Sequence, residues 1–353
     1  MGADANTNTA TATGDGAHIG RAGCAGMIVA DLFCGPLAAL PPEGSLVTVE
    51  RFPLACGGCA ANVAIGLARQ GVPVDLSACV GNDPAGAFLR GDLALQGVDV
   101  SLLRVIDGLP TSQTVILLLA GEDRRYVHVI GANAAYSVDP LGSPGGADGS
   151  WLATLETLYA GGLYAMPAMT PASVAALFAE ARALGVRTVL DVVIPAGAPD
   201  PDPAEAAALL AVTDIVLPNG QEAARLTGET DSARQCRALR AMGAGAAVVT
   251  LGAEGVAADD GQAQWRAPAF PVTAIDPSGG GDAFAAGLIA ALHRGASFRE
   301  AVRWAQAAGA SATMAVGTTS GVFTAAETDA FLRDHDHDQY DDHRHHATPG
   351  AAG

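Results

Sequence analysis

Residues 276–284, Asp-Pro-Ser-Gly-Gly-Gly-Asp-Ala-Phe, set three consecutive glycines, Gly279, Gly280 and Gly281, directly ahead of a carboxylate, Asp282, where an apolar helical segment begins. Consecutive glycines let backbone N–H groups converge on an anion, and the positive end of a helix dipole adds to the attraction. A dinucleotide-binding turn is the rival reading, but Phe284 stands where the third glycine of G-x-G-x-x-G would fall. Asp282 also separates the two. A carboxylate repels a resting pyrophosphate, whereas a hydroxyl attacking phosphorus must lose a proton, and a base that takes it contributes about 10²–10⁴-fold. From spacing alone, a plain glycine-rich turn ahead of a helix stays open as the alternative.

A second stretch, LACGGCAANVAIGLARQG over residues 54–71, wraps a Cys-x-x-Cys pair, Cys56 and Cys59, around Gly57 and Gly58. A structural zinc site needs a second ligand pair of similar spacing, which Cys24, Cys34, Cys79 and Cys236 do not supply. A redox pair at a helix start is geometrically possible and stays open as an alternative to space-filling thiols.

The chain has 353 residues, a formal net charge of −18 and 19 basic residues, every one an arginine. Without lysine, Schiff-base chemistry and the Walker P-loop are excluded. The acidic balance disfavours a nucleic-acid partner. No apolar run approaches the roughly 18 residues of a membrane span, and the small polar N-terminus is not a secretory signal, so a soluble cytoplasmic protein is expected. Residues 1–22 and 333–353 read as disordered tails. The second tail carries His335, His337, His343, His345 and His346, read as solvated rather than metal-binding.

Between the tails, short β-branched runs such as AGMIVADLF, DLSACVG, RTVLDVVI and AAVVTLG alternate with helical patterns, several closed by glycine. That rhythm predicts an α/β fold, a mostly parallel sheet with helices on both faces, over residues 23–332. Residues 44–54 and 111–130 read as strands with no helix between them. They predict a small antiparallel sheet, a lid spanning about 33–54 and 109–131.

DPSGGGDAFAAG resembles the C-terminal signature of the ribokinase-like (PfkB-type) carbohydrate kinases, with Gly280 where alanine is usual, and GGCAANVAIGLARQG resembles their N-terminal signature. The resemblance runs from about residue 24 to 330 and implies a three-layer α/β/α domain with a β-sheet lid. It implies a kinase that transfers phosphate from ATP, with Mg²⁺, to a hydroxyl, expected to be primary, of a free sugar such as ribose or fructose. Asp282 would be the base, and Gly279, Gly280 and Gly281 the anion hole. Asp276 and Ser278 would lie near the monovalent-cation (K⁺) site that some members possess. LPNGQEAARLTG is similar to the N-x-x-E motif, so Asn219 and Glu222 would organise Mg²⁺ through its waters. The same two residues also read as a helix capping box. VVTLGAEG resembles the T-x-G-x-x-G segment, which would set Thr250, Gly252 and Gly255 beside the nucleotide, and in RWAQAAGASATM Gln306 falls where members carry a polar residue beside adenine; a strand end and an exposed helix position are the plain alternatives.

On the acceptor side the resemblance assigns Asp31 and Asn133 to the sugar. Gly57 and Gly58 would let the backbone approach it, and Asn62 would bond its hydroxyls. Gly81-Asn82-Asp83-x-x-Gly86 reads as a structural turn. The sequence departs from the family at Cys59, where ribokinases commonly carry lysine, which favours a neutral sugar over one already phosphorylated. It departs again at Val193 and Pro195, where Asn and Arg are expected after Asp191, so some contact must be supplied differently. Relatives often pair through the lid, implying a homodimer. A nucleoside kinase of the same fold and a non-catalytic sugar or nucleotide sensor are the alternatives.

Overall fold

The computed structural model describes residues 19–121, 124–139 and 149–342. β1 (Arg21–Gly26) opens the central sheet, and the chain passes at once into a smaller sheet through β2 (Val29–Leu37) and β3 (Leu54–Gly57). It returns through α1 (Cys59–Arg69), β4 (Val74–Gly81), α2 (Pro84–Leu95) and β5 (Leu103–Ile106), then revisits the small sheet with β6 (Gln113–Leu119) and β7 (Arg125–Val129). The remaining order is α3 (Gly149–Leu152), β8 (Leu155–Leu163), α4 (Pro171–Ala183), β9 (Arg187–Val192), α5 (Pro203–Leu210), β10 (Ile215–Val216), α6 (Gly220–Thr227), α7 (Ser232–Ala241), β11 (Ala246–Thr250), β12 (Val256–Asp259), β13 (Gln264–Ala267), α8 (Gly280–His293), α9 (Phe298–Thr313) and α10 (Ala325–Asp342).

The large sheet runs β13-β12-β11-β10-β9-β8-β1-β4-β5. It is parallel except where β12 pairs antiparallel with β11 and β13. Successive side chains of a strand point to opposite faces, and the core divides accordingly. Cys24, Tyr159, Val189 and Val248 pack on the α1/α8 side, while Ala25, Leu158, Leu190 and Val249 pack on the α4/α7 side. These are the three expected layers.

The strand read as one run, AGMIVADLF, is divided. β1 ends at Gly26 and β2 begins at Val29 in the other sheet. Asn133 holds the crossing point from both sides: its Nδ2 donates to the Ile28 carbonyl at 2.8 Å, and its Oδ1 accepts from the Ile28 N–H at 3.4 Å. The lid order is β3-β2-β6-β7, with β2 and β6 parallel, so the lid is mixed rather than antiparallel. Residues 44–53 form no strand and are almost wholly exposed, with Leu46 at 92%; only the Pro53 carbonyl meets β2, accepting the Phe33 N–H at 2.9 Å, and ladder pairing begins at Leu54.

The Asp83 turn is structural, as expected. Its carboxylate caps α2 through the Gly86 N–H at 2.8 Å and also accepts from the Thr111 N–H at 2.7 Å, tying the β4–α2 turn to the entrance of β6. Both predicted tails include described residues with regular structure. Ala22 is buried in β1, and α10 carries the chain as helix to Asp342. His335 stacks against Phe331 and Phe270 there, while His343, His345 and His346 lie outside the described residues. No described helix is long and apolar enough to cross a membrane.

Candidate active site

Two helices begin at the same place. α1 starts after Gly58 and α8 after Gly279, both glycines with positive φ (88° and 74°). A Cβ on Gly279 would fall 2.0 Å from the Thr318 carbonyl oxygen, so no larger residue fits this turn without displacing backbone. About two turns into each helix the axes approach closely, because a Cβ on Gly66 would meet the Ala286 methyl at 2.6 Å. This packing brings Asn62 of α1 against Asp282 of α8. The Asn62 Nδ2 donates to Asp282 Oδ2 at 2.8 Å, and the Asn62 Oδ1 accepts from the Thr318 hydroxyl at 3.1 Å. Asn62 therefore orients the Asp282 carboxylate, a role the sequence reading did not give it.

Asp282 and Gly281 line a cavity of about 310 Å³ together with Asp191, Asn219 and Glu222. Burial is the main reason the Asp282 pKa is pushed up to about 7; the charges of Glu222 and Asp31 raise it further, and the Asn62 hydrogen bond opposes them. Asp191 is raised well above the carboxylate range by burial and by the charges of Glu222 and Asp282, and it accepts from the Tyr159 hydroxyl at 2.9 Å. Burial raises Glu222 as well. Carboxyls that raise one another in a shared cavity attract cations and protons. Asn219 and Glu222 do form the capping box of α6, with Glu222 Oε2 accepting the Asn219 N–H at 2.9 Å, and both line the cavity. The two readings of this motif are thus compatible.

Gly281 also borders a second cavity of about 580 Å³, lined by Thr250, Gly252, Gly255, Phe270, Ala310 and Gln306 among others. Among the described residues no charged side chain lines it. Gln306 Nε2 donates to the Pro268 carbonyl at 2.8 Å, and the wall is largely apolar. A Cβ on Gly281 would meet nothing within 4 Å, so this residue is small toward open cleft, not toward packing.

Asp31 sits in β2 of the lid at 7% exposure, its pKa raised to about 6 by burial against an opposing hydrogen bond from Thr114. Gly57 is where its carboxylate lies: a Cβ there would be 1.9 Å from Asp31 Oδ2. Asn133 is not brought to the cleft, being fully buried with both ends on Ile28. Cys56 and Cys59 are free, buried thiols whose pKa burial raises, which is the opposite of a reactive redox pair. Asp276 and Ser278 are engaged by the Arg124 guanidinium from the lid, a residue without any signal in the sequence. Asp191 was legible as a carboxylate inside an apolar strand; Tyr159 and Thr318 were not.

A doubly wound body, a small β lid and a helix-start glycine turn with a raised carboxyl between two cavities define a phosphotransferase of the ribokinase fold. Residues 25–325 match the family described as pfkB family carbohydrate kinase, and the chain belongs to it. It is 30% identical to the ribokinase of Haemophilus influenzae over 297 residues, covering 82% of this chain and 91% of that protein. With the fructokinase of Klebsiella pneumoniae it shares 34% over 240 residues, 67% of this chain and 76% of the other. The fold is that of the Arabidopsis thaliana ribokinase complexed with ribose and ATP, with a TM-score of 0.73, 24% identity and coverage of 89% and 98% of the two chains. The protein is a kinase that transfers phosphate to a sugar hydroxyl.

Proposed function

We propose that the chain transfers the γ-phosphoryl group of ATP to a primary hydroxyl of a free monosaccharide, of the size and polarity of ribose or fructose, with Asp282 as general base. The observation that carries this reading is the place of Asp282, a carboxyl raised to about 7 in the first turn of α8, where the charge-free and the acidic cavities meet. The adenine ring suits the apolar cavity, and the acceptor suits the smaller one. Asp31 and the backbone at Gly57 and Gly58 form the sugar side, where a carboxylate can accept from two vicinal hydroxyls. As Asp282 takes the hydroxyl proton, the sugar oxygen bonds to phosphorus and the bond to ADP breaks; the Gly281 N–H, and the Gly280 N–H on giving up its long 3.4 Å bond to the Pro277 carbonyl, would face the charge on the transferring group.

Asp191 and Glu222 fit a hydrated divalent cation, since they are two carboxyls in one cavity with raised pKa values. Mg²⁺ bound there would neutralise charge on the nucleotide phosphates. The smaller cavity has no cationic side chain among its described lining residues, which favours a neutral sugar over a phosphorylated one, and its volume favours a single ring over a nucleoside. Six free cysteines suit a reducing compartment, and we place the reaction in the cytoplasm. The lid also suits a homodimer: β7 is exposed along its whole length and leaves one edge unpaired. Light scattering reads that state.

The test of the activity is ADP release from ATP and Mg²⁺ across a panel of pentoses, hexoses and nucleosides. Turnover with a free pentose or hexose is expected. Preference for nucleosides, or sugar binding without ADP release, would overturn the reading.

A further inference from the structure

Asp276 is a buried carboxylate at the foot of the glycine turn, 5% exposed. Its Oδ1 accepts from the Ser278 N–H at 2.9 Å and its Oδ2 from the Gly317 N–H at 2.9 Å, so it ties the turn to the loop after α9. The remaining partner of this carboxylate comes from the lid. The Arg124 guanidinium, from the segment joining β6 to β7, reaches across the cleft and donates to both Asp276 Oδ1 and the Ser278 hydroxyl. A buried carboxylate without a counter-charge is costly, and the guanidinium supplies one.

These residues do not fit the monovalent ion that the family resemblance implies beside Asp276 and Ser278. An inorganic ion needs several converging oxygen lone pairs, whereas here both Asp276 oxygens accept N–H donors and the Ser278 hydroxyl faces a guanidinium. A second positive charge within hydrogen-bond distance of Arg124 would be repelled. We propose that Arg124 is the resident cation of the glycine turn: a lid guanidinium holds Asp276 and Ser278 in place of a monovalent metal ion, and turnover does not depend on one. Arg124 then acts as a positioning residue, through Asp276 and Ser278, on the N–H groups that face the phosphoryl group. It also makes the charge balance of the turn depend on lid position, which a diffusible ion would not.

This inference rests on the kinase reading above, so its test has one readout through activity and one without. Wild type, Arg124→Ala and Arg124→Gln are compared in potassium, sodium and choline chloride at constant ionic strength, by ADP release and by melting temperature. Wild type is expected to give the same kcat and melting temperature in all three salts. Arg124→Ala is expected to lose about ten- to a hundredfold in kcat, the scale of a hydrogen bond to a charged group, and to regain part of it with potassium or dilute guanidinium chloride. Both variants are expected to gain a potassium-dependent rise in melting temperature that wild type lacks. Activation of wild type by potassium over choline, or variants indistinguishable from wild type in both readouts, would overturn the proposal. If no sugar supports ADP release, the kinase reading fails while the melting comparison still decides the role of Arg124.

Discussion

The two cavities on either side of Gly281 are built from opposite materials. The larger is walled by small and apolar side chains and backbone, with no charged residue among the described ones; the smaller gathers Asp191, Glu222 and Asp282. An apolar wall binds a ring without titrating, so it is indifferent to pH. Clustered carboxyls do the reverse: they are poor at holding an anion alone but supply a base and a seat for cations. On the proposed reading the reaction belongs at their border, where a phosphate held in the first would meet a hydroxyl held in the second.

The strongest way to break this contrast is Asp282→Asn, which keeps the hydrogen bond from Asn62 and removes the base. A loss of kcat of about 10²–10⁴-fold is expected in the ADP-release assay. Melting temperature at neutral pH should hold or rise. The pKa of Asp282 is raised in the folded chain from 3.8 to about 7, so ionising it costs folding stability as pH climbs through that interval, and asparagine escapes the cost. Next comes Gly281→Ala, which puts a methyl into open cleft between the cavities. Turnover should fall by roughly a hundredfold, the scale of a disturbed anion hole, with an unchanged melting temperature. Ala310→Leu crowds only the apolar cavity and should raise the KM for ATP by roughly tenfold while leaving the sugar KM alone.

The acidic side gives a pH signature. kcat/KM should rise with pH up to about 7, where Asp282 becomes ionised, and flatten above it. Asn62→Leu removes the one bond that lowers that pKa and should move the rising limb to higher pH. The smallest effect is expected from Gly280→Ala, since a Cβ there lies 3.5 Å from the Thr313 methyl, an ordinary contact. Activity and melting temperature near wild type would show that the three glycines are not equivalent.

The glycine turn and Asp282 were legible because local spacing alone creates a helix start with a carboxylate in its first turn. So was the α/β layering, since buried parallel strands are short apolar runs whatever their neighbours. What failed depended on distant partners. Residues 44–53 alternate like a strand, yet only their last residue, Pro53, meets β2, and no ladder forms along the rest. Asn133 carries the right residue type for a sugar contact but spends both polar ends on Ile28. Arg124 reads as an ordinary turn arginine until the lid is folded over Asp276, more than 150 positions along the chain.

The clamp on Ile28 gives the lid a fixed pivot, and Asp31 stands only three residues beyond it. At about 3.3 Å per strand residue that is a lever arm of about 10 Å, so a tilt of about 10° displaces Asp31 by only about 2 Å. Asp282 stands outside the lid, on α8. Were the lid to tilt about Ile28, a sugar bonded to Asp31 as proposed would shift far less than the β7 edge.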